Sequence, residues 1–277
     1  MPITVRLDDR LRLAGALLAA GDWPEYEQAV KAYKAHRVAD AAHKALSAHQ
    51  AHPAVQAVRA LVGRGEGLDR LYAHALNGDW PDGLAAQVAD FAAVADLAGF
   101  YAGHAADWAQ AEAEARAVLA RADLGRFLID LAGAQTRAFV FVPNLLFPGR
   151  QRVACASPAE IVVASPPPIA WGTSHPWRFD ERPDESLALI SEAFARFLFA
   201  QAGLAERAEA LGAAAAVLFL REAEGQAAGD QYLVMEKKAR GLKTLPAAVA
   251  ALEPVLAARR AGQYPHGIAD YARELSF

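Results

Sequence analysis

The chain of 277 residues has a single cysteine, Cys155, so no intramolecular disulfide can staple it and its fold must rest on buried apolar surface. One thiol also fits a reducing compartment. No apolar run reaches the ~18 residues that a membrane-spanning helix requires. The nearest approach, Leu211 to Leu220, reads as a buried helix. The amino-terminal stretch MPITVRLDDR has early acids and no apolar core, unlike a secretory signal, so a cytoplasmic protein with no membrane partner is expected. Basic residues form no stripe: Lys237-Lys238 and Arg259-Arg260 are the largest clusters, and the formal net charge is -4. Nucleic acid is therefore not an expected partner, because neutralising phosphates takes a basic face. The sequence has no phosphate-binding GxxxxGK[ST] loop, no GxGxxG turn between a strand and a helix, and no GxSxG elbow. P-loop, dinucleotide-binding and serine-hydrolase chemistries thus lack their signatures.

What is present is an ordinary globular balance, 54% hydrophobic and 22% charged, in a chain long enough to bury a sizeable core. Alanine is abundant and is the best helix former, although a GC-rich coding sequence produces the same bias. Residues 3–6 (ITVR) form a short β-like run, followed by a helix-period segment with Leu11, Leu13, Leu17 and Leu18 that stops near Gly21. After Trp23-Pro24 a long helical region extends to about Leu61, carrying His36, His43, His49 and His52. Pro53 breaks or opens a helix there, and Gly63, Gly65 and Gly67 make a loop. From Leu68 to Leu119 the pattern is helix, loop (77–83), helix. Phe91, Val94 and Leu97 lie on one apolar face that Phe100, Tyr101, His104 and Trp108 continue. A further helix covers roughly 124–133.

The texture changes at Arg137. RAFVFV (137–142) and Ile161-Val162-Val163 are strand-like, closed by Pro143 and by Pro166-Pro167-Pro168. Between them NLLFPGRQRVACASP reads as a hairpin connection or an irregular loop. A proline-rich, aromatic stretch with Trp171, His175 and Trp177 then precedes helical segments at 184–203, 205–224 and 245–262. The expected fold is α+β, predominantly α-helical, with a small β-sheet in the middle of the chain. It forms one compact unit, 1–277, in which a helical amino-terminal lobe (1–133) and a core (134–277) are distinguishable.

Two strand-like runs, a variable loop and an apolar helix also form the order of elements around the active site of gluzincin metallopeptidases. The helix here reads ESLALISEAFARFLFAQ, with Ser191 and Ala195 at the positions of the two zinc-binding histidines of HExxH and Glu192 at that of the water-activating glutamate. With VQAVRALVGRGEGLDRLYAHAL, FAAVADLAGFYAGHAADW and the carboxy-terminal REAEG and YPHGIADY, the chain resembles a bacterial family of unknown function in the gluzincin-like clan. The resemblance implies a zincin-like helical core with helix 184–203 against the small sheet. It also implies a third-ligand helix, whose LGAAAAVLFL offers no carboxylate until Glu222 and Glu224. Alanine cannot ligate a metal and serine seldom replaces imidazole. The implied protein is thus a catalytically inactive homologue with no zinc and no other cofactor. Histidines returned at 191 and 195, with a glutamate at 214 or 215, are expected to rebuild part of a site. Without the resemblance, SExxA on an alanine-rich helix is an ordinary solvent-facing glutamate.

Other residues carry weaker signals. His36 and His43 are two turns apart, yet no carboxylate pattern completes a metal site, and solvated helix histidines are the simpler reading. His104 reads as a packed, hydrogen-bonded core histidine. His175 and Trp177 in WGTSHPW either border a binding site or staple the loop to the body. Tyr264-Pro265-His266 either closes over a cleft or ends the last helix. Cys155 has no adjacent base and is not expected to be a nucleophile. The expected binding set is His175, Trp177, Glu192, Glu222, Tyr264 and His266. Three functions follow: an inactive homologue that holds a peptide or protein segment or a small ligand in its cleft, a hydrolase using Glu192 with ligands such as His175 and Glu222, and a helical scaffold without pocket chemistry.

Overall fold

The computed structural model describes residues 2–21, 36–64, 67–146, 152–169, 177–272 and 274–275. Strand β1 (Thr4–Val5) leads into α1 (Asp9–Ala20), and a helical run follows: α2 (Arg37–Leu46), α3 (Pro53–Gly63), α4 (Leu68–Asn77), α5 (Leu84–Val94), α6 (Leu97–Gly103), α7 (Ala105–Leu119) and α8 (Leu124–Ala132). The middle of the chain supplies β2 (Ala138–Pro143), β3 (Val153–Ala156) and β4 (Glu160–Ser165). The last part is helical again, with α9 (Pro183–Phe199), α10 (Ala208–Ala223), α11 (Gln226–Ala239), α12 (Leu245–Arg260) and α13 (Ile268–Tyr271). The fold class is the expected one, mainly helical with a small sheet mid-chain.

The four strands form one mixed sheet in the order β1-β2-β4-β3. β1, β2 and β4 are parallel, with Thr4 opposite Val140 and Val140 opposite Val162, while β3 runs antiparallel to β4 with Cys155 opposite Val162. Continuous apolar runs in β2 and β4, rather than alternating ones, are what a sheet covered on both faces requires. Phe139, Val140 and Phe141 in β2, like Ile161, Val162 and Val163 in β4, are buried. Helix α9 lies against this sheet: the Phe194 ring meets Phe139 edge-to-face at 5.5 Å. Asp69 of α4 accepts a hydrogen bond from the Ala154 amide at 3.0 Å, satisfying a backbone group of β3.

Helices α9 and α10 pack as an antiparallel hairpin turned at Gly203, whose φ of 82° lies in the left-handed region that glycine tolerates. The span Pro183–Ala223 has the length and apolarity of a membrane helix, and 61% of that apolar window is buried inside the protein, as in a core helix. Small residues let the two backbones close up: a Cβ at Gly212 would lie 2.9 Å from Arg196 Cβ and 3.1 Å from the Glu192 carbonyl oxygen. Gly229 brings α11 equally close to α10, with its absent Cβ 2.6 Å from the Val217 carbonyl oxygen.

Three boundaries differ from the sequence reading. The helix expected to run through 84–119 is three helices. Asp96 sits at φ 43° and caps α6 by accepting from the Gly99 amide at 3.1 Å. Strand β3 occupies part of the stretch read as a hairpin connection or an irregular loop, whereas Pro53 opens α3 as the sequence indicates, with the His52 ring accepting from the Ala54 amide at 3.2 Å. Helix α11 lies where the sequence shows none, because only Gly229 and Tyr232 of its residues are buried and its larger apolar residues, Leu233, Val234 and Met235, fall consecutively rather than at helical spacing. The amino-terminal histidines serve the fold. His36 caps α2, His52 caps α3 and contacts Asp90, and His43 contacts the Ala19 carbonyl oxygen at 2.9 Å. His104 packs on Phe100 with ring centroids 4.7 Å apart and reaches Asp107 at 3.3 Å, while Arg12 rather than His104 stacks on Trp108.

Candidate functional site

Glu192 sits midway along α9 and is 1% exposed. An ionised carboxylate so deep needs charge and hydrogen bonds around it, and three parts of the chain supply them. Tyr232 of α11 donates its hydroxyl to Oε2 at 2.5 Å. Arg240, just beyond the end of α11, donates Nη1 to Oε1 at 2.6 Å. Arg152, just before β3, places Nη2 3.6 Å from Oε1. Burial disfavours the charged carboxylate, but Arg152, Arg240 and the Tyr232 hydroxyl outweigh it and hold its pKa below the ordinary glutamate value. Burial and the Glu192 charge push the Tyr232 phenol well up, so it remains a neutral donor. For Arg240 burial again opposes charge, and Glu192, Glu209 and Glu236 more than offset it.

This arrangement is a poor general base. Each of its oxygens already accepts a hydrogen bond, its proton affinity is lowered, and only 1% of the residue is exposed. Ser191 and Ala195 are each 0% exposed, and the Ser191 hydroxyl donates to the Ala188 carbonyl oxygen at 3.0 Å. Neither faces open space, and neither side chain offers a ligand of the gluzincin type. Among the described residues no group of three or more His, Cys, Asp or Glu side chains is placed to hold a metal ion. The residues present do not fit zinc.

Beside this cluster lies a hollow of about 520 Å³ between α9, α11 and the extended segment that follows β4. Ligands of open parallel sheets lie in this region, outside the carboxyl ends of the strands. Pro166, Pro168, Leu189 and Met235 give it an apolar wall. Arg152, Lys238 and Arg240 add cationic side chains, and Glu185 and Glu236 add carboxylates. The two arginines that neutralise Glu192 from one side therefore face the hollow from the other. A second hollow, about 670 Å³, runs along β1. Its polar side chains are committed elsewhere: Arg116 bonds to Glu112 and the Val5 carbonyl, and Asp123 caps α8.

Of the residues expected to bind, neither Glu192 nor Trp177 lines the first hollow: Glu192 reaches it only through Arg152 and Arg240, and Trp177 only through Pro168. The Trp177 amide donates to the Pro168 carbonyl oxygen at 3.0 Å, and the Arg182 guanidinium stands 4.7 Å over its ring. His175 lies outside the described residues. Glu222 is paired through both oxygens with Arg260, at 2.6 and 2.9 Å, and Arg260 also holds Asp130. Tyr264 donates to Glu274 at 2.5 Å, and the His266 amide donates to Asp270 at 2.7 Å. Among the described residues, no hydrogen bond or ion pair joins Glu222, Tyr264 or His266 to Glu192, and none of the three lines the hollow. Arg152, Tyr232 and Arg240 escaped the sequence reading. Their one local signal is a tyrosine and an arginine eight residues apart, about 12 Å along a helix axis, which points nowhere without α11 itself.

Comparison of the chain with protein-family models, with curated proteins and with solved structures returns no match.

Proposed function

We propose that this chain is a binding protein, an inactive homologue of gluzincin metallopeptidases whose former metal helix serves as core, and that the hollow beside Glu192 receives its ligand. The observation that carries this reading is the double use of Arg152 and Arg240. A buried carboxylate orients two guanidiniums, and both form part of the wall of a hollow of ligand size. Small-molecule sites usually have volumes of about 300–1,000 Å³, apolar walls and a few fixed polar groups. Support from behind is what keeps such polar groups in place. The hydrolase reading asks Glu192 to act with Glu222, and Glu222, near the end of α10, is committed to Arg260 at the end of α12.

The test is ligand-dependent thermal stabilisation of the full chain, screened with a fragment library, on the wild type and on Leu189→Trp. That substitution fills the hollow without removing a member of the Glu192 cluster. Compounds that raise the wild-type Tm and leave the Trp variant unmoved support the reading. A library without hits, or hits that act equally on both proteins, favours a scaffold without pocket chemistry. One tightly held zinc per chain after dialysis, with peptide hydrolysis, rejects the inactive-homologue reading.

A further inference from the structure

We propose that the ligand is an organic monocarboxylate with an apolar body, such as a medium-chain fatty acid, and that the guanidinium of Arg152 holds its carboxylate. This rests on the hollow being a binding site. Arg152 is largely withdrawn from water, with 16% of its side chain exposed. A guanidinium carries five N–H donors, and among the described residues those of Arg152 make no hydrogen bond. Its nearest carboxylate, Glu192, is 3.6 Å away, beyond hydrogen-bond reach. Arg152 lines the hollow and its nitrogens are not among the buried atoms without a partner, so its unspent donors stay open to a ligand, and a planar two-oxygen acceptor matches the guanidinium fork better than any other common group. Arg240 is in the opposite condition. It is bonded to Glu192, Glu209 and Glu236, so it braces the wall and has little left to offer a ligand.

The rest of the lining restricts the ligand further. Pro166, Pro167 and Pro168 have no N–H, so the segment that passes the hollow lacks the donors with which an edge strand pairs to a peptide backbone. Those prolines, with Ile169, Leu189 and Met235, offer apolar contact instead. Glu185 and Glu236 share the lining and repel a second negative charge, which disfavours dicarboxylates and polyphosphates. Lys238, exposed on α11, adds a cation at the same hollow for the approach of an anion.

The experiment is isothermal titration of the full chain with decanoate and 1-decanol, and with acetyl-leucyl-leucine as free acid and as amide. Decanoate should bind at least about tenfold more tightly than decanol, since a charge-assisted pair is lost with the alcohol. Arg152→Met should bring decanoate down to the affinity of decanol, and Arg152→Lys should fall between. The comparison of acid with alcohol on the wild type needs no variant, so a misfolded substitution leaves the test intact. Equal binding of decanoate and decanol, blocked by Leu189→Trp, overturns the carboxylate while leaving the pocket in place. Failure of all four compounds on the wild type overturns the ligand class, and it overturns the pocket as well if the fragment screen also has no hit. Tighter binding of the dipeptide acid than of decanoate overturns the fatty-acid assignment in favour of a peptide carboxyl terminus.

Discussion

Tyr232 donates its hydroxyl to the Glu192 carboxylate across 2.5 Å, joining α11 to α9 in the protein interior. With the Arg240 bond to the other oxygen it converts a glutamate in a motif-like position into a structural anion. Helix α11 is held to α9 and α10 by this polar contact, by the close approach at Gly229 and by the Asp230–Arg221 ion pair at 2.8 Å.

Glu192→Gln should therefore destabilise the fold by about 3 kcal/mol, because removing one partner of a buried ion pair leaves the other uncompensated. Arg240 keeps Glu209 and Glu236, which sets the cost at the lower end for such changes. Urea denaturation followed by circular dichroism measures it. A loss below ~1 kcal/mol, the size of a surface pair, would show that the cluster is not buried as described.

The same cluster gives a pH dependence of definite sign. The Glu192 pKa is depressed in the folded chain, so its contribution is fully present above the unfolded value, about 4.5, and is lost as pH falls through the folded value. The stability difference between wild type and Glu192→Gln should be flat from about pH 7 to pH 5 and narrow below about pH 4.5. A difference that instead grows on acidification would mean that the carboxyl is protonated in the native state.

Two glycine substitutions should act in opposite directions. At the end of α3, Gly63 has nothing within 4 Å of its absent Cβ, so Gly63→Ala should stabilise by about 0.4–1 kcal/mol through the unfolded chain. Gly212→Ala gains the same propensity but drives its methyl into Arg196 and the Glu192 carbonyl, and overpacking of this kind costs about 1–3 kcal/mol. Thermal melts of the pair decide whether α9 and α10 meet at the stated separation.

Three of the four strands and most of the helices could be read from the sequence because burial wrote them in apolar runs, whereas β3 lies in a connection read as a hairpin or loop. RAFVFV and IVVA became β2 and β4, and LGAAAAVLFL became the heart of α10. The site could not be read, for an equally physical reason. Glu192 was visible by its place in SExxA, but its partners lie 40 and 48 residues away on a helix without an apolar period, or in a connection read as loop. Pairing between charged residues far apart in sequence leaves no periodic trace. Glu222, Tyr264 and His266 had plausible residue types, but the side chains of Glu222 and Tyr264 are committed to Arg260 and Glu274, and His266 is not part of the lining of the hollow.

The carboxy-terminal segment offers a separate test. Gly267, at φ 67°, would put a Cβ 2.2 Å from the Ala132 carbonyl, and a Cβ at Gly133 would lie 3.1 Å from the His266 carbonyl. Tyr271 fastens the same segment by donating to the Leu131 carbonyl oxygen at 2.6 Å. Gly267→Ala should undock the segment, at about 2–4 kcal/mol from left-handed strain plus overlap. Limited proteolysis after about residue 262 should accelerate while the rest of the chain stays protected.

Returning the missing histidines tests the relation between motif and structure most directly. On sequence grounds Ser191→His with Ala195→His sets two imidazoles on one face of α9, with Glu192 beside the first. The structure gives a different expectation. Both positions are fully buried, neither belongs to the lining of the hollow, and Ala214 and Ala215, the intended sites for a third ligand, are equally buried. An imidazole is much larger than either side chain it replaces, so each change should overpack the core at about 1–3 kcal/mol or more. Glu192 is also tied to Tyr232 and Arg240 and is not free to assist a metal-bound water. The double variant should therefore melt well below the wild type. Zinc should not recover the loss, since a metal stabilises only the state in which its ligands are accessible and oriented. The measurement is Tm with and without zinc, beside competition with a chromogenic chelator. Tight zinc binding with a restored Tm would show that α9 can open onto a cleft after all, and would return the hydrolase reading to first place.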